Sequence, residues 1–152
     1  MSDLELELQV VDGLQDVPER RQFEAWVAAA LQKGAARELS IRVVDEAEGR
    51  ALNHQYRDKD YATNVLSFPF EVPDGVPIEY LGDLVICAPV VLREAAEQDK
   101  GVESHWAHMV VHGVLHLQGF DHINEEDAQM METLEKVIMA RLGYPNPYQD
   151  EV

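Results

Sequence analysis

The chain has 152 residues, 46% of them hydrophobic, which suits one ordinary domain with a real core and excludes fibrous and disordered classes. Twelve Lys and Arg face 29 Asp and Glu, a formal charge of −17. So acidic a surface repels nucleic acid and anionic membranes, because phosphate binding needs positive charge to displace counterions.

In chain order, Leu4, Leu6, Leu8 and Val10 alternate with Glu5, Glu7 and Gln9, the period of a half-buried strand. After Pro18, Phe23, Trp26, Val27, Ala30 and Leu31 recur at helical spacing up to Gly34. Leu39 to Val44 is strand-like. Asp45 is placed to cap a helix whose apolar stripe reads Ala47, Ala51, Leu52 and Tyr56. Asn64 to Phe70 and Tyr80 to Cys87 are β-rich, with a Pro73-Asp74-Gly75 turn between them. Pro89 opens a helix to about Gln98. A longer one runs from about Val102 to Leu117 and is stopped by Gly119. Asn124 caps the last helix, which carries Met131, Leu134, Val137, Ile138 and Leu142 and ends at Gly143. Four strands and about five helices in this order predict an α+β domain with a mixed sheet.

A single cysteine, Cys87, excludes an intrachain disulfide and a Cys-rich zinc knuckle, and its place in an apolar strand makes it a packing residue. MSDLELELQV has neither a basic n-region nor an apolar h-region. The longest apolar run, Ala25 to Leu31, falls far short of the roughly 20 residues of a membrane span. A cytoplasmic protein without membrane contact is expected.

Five of the six histidines lie between His105 and His122. His112 and His116 are i,i+4, one turn apart on one helix face, where two imidazoles can converge on a single ion. Gly119 turns the chain so that His122 can close a third position. The spacing matches the metzincin pattern HExxHxxGxxH except that Gly113 stands where those proteases carry their catalytic Glu. An isolated HxxxH is ordinarily a solvated or packed pair. Three histidines around a helix-ending glycine point instead to a metal site. Zinc leads, and nickel or iron suit the same imidazoles. Three neutral ligands with a fourth position open is the catalytic form of a zinc centre. Without the Glu a peptidase lacks its general base. His108, one turn earlier, reads as a packed histidine or a neighbour of the ligands, and Asp121 as a ligand-orienting or simple turn residue.

At these residues a family becomes recognisable. HWAHMVVHGVLHLQGFDH (His105 to His122), YRDKDYATNVLSFPFEVPDG (Tyr56 to Gly75), LGDLVIC (Leu81 to Cys87) and the ending LGYPNPY resemble the YbeY family of bacterial endoribonucleases over almost the whole chain. The resemblance implies a zincin-like single domain over residues 1–152 and a metal held by His112, His116 and His122. It implies a single-strand-specific endoribonuclease in ribosomal RNA maturation, at the 3′ end of the small-subunit RNA, and in ribosome quality control. Its partners would be single-stranded RNA, the small ribosomal subunit and assembly factors, with neither DNA nor membrane expected. The family's important arginine maps to Arg57, whose guanidinium would hold a phosphate. Ala62 stands where many relatives have proline, a change of loop rigidity more than of chemistry.

On this reading a water on the metal, or the ribose 2′-OH assisted by it, attacks the phosphodiester while Arg57 positions the phosphate. The rivals are a zinc amidase or peptidase and a non-enzymatic ribosome-assembly factor with a structural metal. Local charge eases the conflict between RNA and an acidic exterior. Residues 37–59 carry five basic and five acidic side chains, residues 101–120 carry Glu103 alone, and the other −16 lies elsewhere. Tyr56, Tyr61, Phe68 and Phe70 are candidate base-stacking rings, with core packing the expected duty of the two phenylalanines.

Overall fold

In the computed structural model, which describes residues 4–76, 79–121 and 123–148, the alternating N-terminal segment forms strand β1 (Glu5–Val10). It pairs in parallel with β2 (Glu38–Val44) across helix α1 (Arg20–Ala30). Helix α2 (Glu46–Arg57) follows, then β3 (Val65–Pro69) and β4 (Tyr80–Cys87). β4 is parallel to β2, and β3 joins it antiparallel, giving a four-stranded mixed sheet in the order β1-β2-β4-β3. Helices α3 (Ala88–Glu97), α4 (Val102–Leu117) and α5 (Glu125–Leu142) complete the α+β architecture expected from the sequence. No described helix is long and apolar enough to cross a membrane.

Local chemistry sets the boundaries. Asp45 accepts from the Glu48 amide and Asn124 from that of Asp127, each satisfying a helix donor that would otherwise be orphaned. Past α4, Gly119 takes a positive φ of 99°, and the amides of Gly119 and Phe120 return to the carbonyls of His116 and Leu115. α4 is buried on almost every side because it lies over β3 and β4 and is flanked by α1, α3 and α5. Phe23 anchors this core, edge-on to Trp26 and Trp106 at 5.7 and 5.9 Å.

Two glycines allow the close packing. A Cβ on Gly82, at φ 148°, would lie 2.5 Å from the Phe68 carbonyl oxygen. One on Gly113 would lie 2.8 Å from Leu84 Cδ2 and 3.3 Å from Val65 Cγ2. Gly113 therefore lets α4 settle on the sheet, and an acidic side chain there would be driven into Leu84 and Val65.

Three expectations need correction. α2 does not bury the stripe of Ala47, Ala51, Leu52 and Tyr56. It buries Gly49 and Asn53, because it passes so close to Cys87 that a Cβ on Gly49 would lie 3.1 Å from the Cys87 sulfur, while Asn53 Nδ2 donates to the Tyr61 carbonyl. α5 buries Met131, Glu135, Ile138 and Met139 and leaves Val137 in solvent. Phe68 and Phe70 lie outside the core: Phe68 is half-buried beneath Tyr56, and Phe70 is exposed against Tyr80.

Candidate functional site

Helical periodicity places His108, His112 and His116 of α4 at i, i+4 and i+8 on one face. The Nε2 atoms of His112 and His116 lie 3.1 Å apart. Two nitrogens sharing one ion at roughly 2.0–2.1 Å each would be separated by about this distance. On its other side, His112 Nδ1 donates to Glu135 Oε1 at 2.8 Å. A ring whose Nδ1 carries the proton presents an Nε2 lone pair towards His116, as a metal ligand must. The donor set and its tautomer fit a divalent ion.

Glu135 reaches the histidines from α5 and is 1% exposed. Its Oε1 accepts from His108 Nε2 at 2.9 Å as well as from His112, and its Oε2 accepts from Tyr148 Oη at 2.8 Å. Burial alone would raise the carboxyl pKa, but the hydrogen bonds from His108 and His112 prevail and hold it down to about 2. Burial depresses His108, partly offset by the same carboxylate. His108, His112 and Glu135 each bring a ligating atom within 4.8 Å of the others, so this group could itself hold a metal ion. With the three groups already joined by hydrogen bonds, the carboxylate orients the imidazoles.

His112 and His116 open onto a cleft of roughly 620 Å³. It is also lined by β3 from Val65 to Phe68 with Thr63 and Asn64, and by Tyr56, Arg57 and Asp121. Arg57 ends α2, where Asp58 adopts the left-handed conformation and turns the chain. Among the described residues Arg57 makes no ion pair, whereas Arg42 and Arg50 are bound to Glu48 and Asp60 at 2.5 and 2.8 Å. Tyr56 is 57% exposed and rests edge-on against Phe68 with ring centroids 5.0 Å apart. The structure thus brings His112, His116 and Arg57 to one cavity. His122 lies outside the described residues.

A family model described as Endoribonuclease YbeY matches residues 11–143. The chain belongs to the YbeY family. It is 56% identical over 150 residues to Endoribonuclease YbeY of Pseudomonas syringae pv. tomato, covering 97% of this chain and 90% of that protein. A Pseudomonas putida protein of the same name is 57% identical over 150 residues, with 97% and 95% covered. A Thermotoga maritima protein solved in solution shares the fold with a TM-score of 0.53 and 25% identity, over 93% of this chain and 92% of that one.

The sequence places His112 and His116 on one helix face but gives no prominence to Glu135. The available signal was a charge inside an apolar stripe, since Glu135 falls between Met131 and Ile138 on the inward face of α5. Tyr148, at the end of LGYPNPY, carries no local signal that ties it to the centre.

Proposed function

We propose that this YbeY-family chain is a zinc-dependent endoribonuclease that cuts single-stranded RNA in the cytoplasm, in small-subunit ribosomal RNA maturation and ribosome quality control. The observation that carries the reading is the pairing of His112 and His116 Nε2, 3.1 Å apart, in the wall of the cleft that Arg57 also borders. The name Endoribonuclease YbeY borne by relatives more than half identical supports the same activity.

His112 and His116 would hold the ion, with His122 as third ligand and Glu135 fixing the His112 tautomer. When bound, a divalent ion supplies a Lewis acid for a phosphoryl oxygen and a nucleophile at neutral pH. Arg57 holds the phosphate through its planar fork and offsets charge that develops on it. Tyr56 offers an exposed ring on which an unpaired base can stack. Gly113, packed on Leu84, lacks the carboxylate that a peptidase of this pattern uses, which favours the nuclease over a protease.

Replacing His116 with Ala tests the assignment. Bound metal and cleavage of a single-stranded oligoribonucleotide should both fall to background while the melting temperature of the metal-stripped protein stays close to wild type. Cleavage at the wild-type rate by the variant refutes the role given to the centre.

A further inference from the structure

β3 is the edge strand of the sheet, and its residues from Val65 to Phe68 line the cleft. Cys87 N donates to the Asn64 carbonyl at 2.9 Å and Phe70 N to that of Leu81 at 3.1 Å. Both bonds join directly opposed residues of the β3–β4 register, which pairs Val65 with Ile86 and Pro69 with Gly82. In an antiparallel ladder, hydrogen-bonded and non-hydrogen-bonded pairs alternate. Residues 64, 66, 68 and 70 therefore direct their main-chain groups at β4, whereas Val65, Ser67 and Pro69 direct theirs outwards.

β3 ends the sheet order, so among the described residues no strand meets this outer edge. The Val65 amide is already taken by Asn64 Oδ1 at 2.7 Å, and Pro69 has no amide hydrogen. Within β3, Ser67 alone presents an outward N–H beside an outward C=O, and Ser67 lines the same cleft as His112, His116 and Arg57.

We propose that the Ser67 main chain reads the Watson–Crick edge of one unpaired nucleobase next to the phosphate held by Arg57. This rests on the endoribonuclease reading of the cleft. Every base carries a donor beside an acceptor on that edge: N3–H and O4 in uracil, N1–H and O6 in guanine, the amino group and ring nitrogen in adenine and cytosine. One amide and one carbonyl accept all four, so the subsite is tolerant of sequence. It rejects a duplex, where those atoms are already paired. The Tyr56 ring, stacked edge-on against Phe68, supplies an apolar face in the same cleft. An added polypeptide strand is the other guest an open edge can take. It needs donors repeating roughly 6.8 Å apart, and here the positions on either side of Ser67 offer none.

The test uses the metal-loaded protein and short single-stranded RNAs with one cleavage site. N3-methyluridine, which blocks the pairing edge, is placed in turn at each position flanking the cut, with 5-methyluridine as the control of equal size. N3-methylation at one position should lower kcat/KM by about tenfold or more, the scale of a lost donor–acceptor pair, and 5-methylation should leave it unchanged. Ser67→Pro deletes the outward amide without touching the ladder. It should lower kcat/KM on unmodified RNA and make the enzyme indifferent to the N3-methyl group. Equal cleavage of N3-methylated RNA at every position overturns the proposal, as does wild-type kinetics in Ser67→Pro. Should Ser67→Pro fail to fold, the methylation series on the wild type decides alone. Absence of cleavage of any RNA is a failure of the nuclease reading instead, and fluorescence anisotropy of the same oligonucleotides then decides whether the edge is read. Protection of the Ser67 amide by an extended peptide but by no oligonucleotide assigns the edge to a protein strand and overturns the proposal.

Discussion

Removing the charge of Glu135 should weaken both the fold and the metal centre, by separable amounts. In Glu135→Gln the side chain keeps its shape, and an amide oxygen can still accept from His108 and His112, but two charge-assisted bonds become neutral ones. At about 1 kcal/mol lost for each, the metal-stripped variant should be about 2 kcal/mol less stable in urea at pH 7. Glu135→Ala removes the buried acceptor shared by His108, His112 and Tyr148, leaves a cavity, and should cost about 3–5 kcal/mol. The acid response isolates the carboxylate from the other acidic groups. Its folded pKa of about 2 lies below that of the unfolded chain, near 4.5. Its contribution is therefore complete above about pH 4.5 and is lost as the pH falls towards 2, on the order of 3 kcal/mol in all. Subtracting the stability-versus-pH curve of Glu135→Gln from that of the wild type should leave a step in this acid range. Zinc affinity, read by competition with a chromophoric chelator, should fall about tenfold to a hundredfold in the Gln variant. A flat difference curve together with unchanged zinc affinity would refute the assignment of Glu135 as the group that orients His112.

The remaining expectations concern the walls of the cleft. Gly82→Ala places a methyl group 2.5 Å from a main-chain oxygen at a φ that L residues avoid, and should cost about 3 kcal/mol or more in chemical denaturation; wild-type stability would refute the close approach. Tyr56→Ala should raise KM for single-stranded RNA about fivefold to thirtyfold with the melting temperature unchanged, since the ring is exposed. An unchanged KM removes the ring from substrate binding. Arg57→Lys keeps the charge and loses the fork, so kcat/KM should fall about tenfold to a hundredfold with zinc content intact. A lysine variant as active as wild type would reduce the role of Arg57 to charge alone.

What could be read before the structure was whatever local chemistry determines. Period-two alternation, helical spacing and β-rich runs between turn residues mark the strands and helices, and Asp45, Pro89, Gly119 and Asn124 mark their ends, because capping is decided within a few residues. The inward face of α2 was not legible. Gly49 and Asn53 are buried by the approach to Cys87 and Tyr61, a relation among distant segments that hydrophobicity does not record. The site divided the same way. His112 and His116 are neighbours on one helix turn and could be paired on paper. Glu135 comes 23 residues after His112, and only the packing of α5 on α4 turns its misplaced charge into a partner. The open edge of β3 was hidden for a related reason, since which amides face the cleft depends on register with β4.

The bond from Tyr148 to Glu135 ties the centre to a residue far along the chain. The carboxylate that aligns the imidazoles is anchored by a residue made 32 positions after His116, so a nascent or truncated chain can carry every histidine of α4 and still lack the anchor. Such a shortened product should bind the ion more loosely than the full chain does.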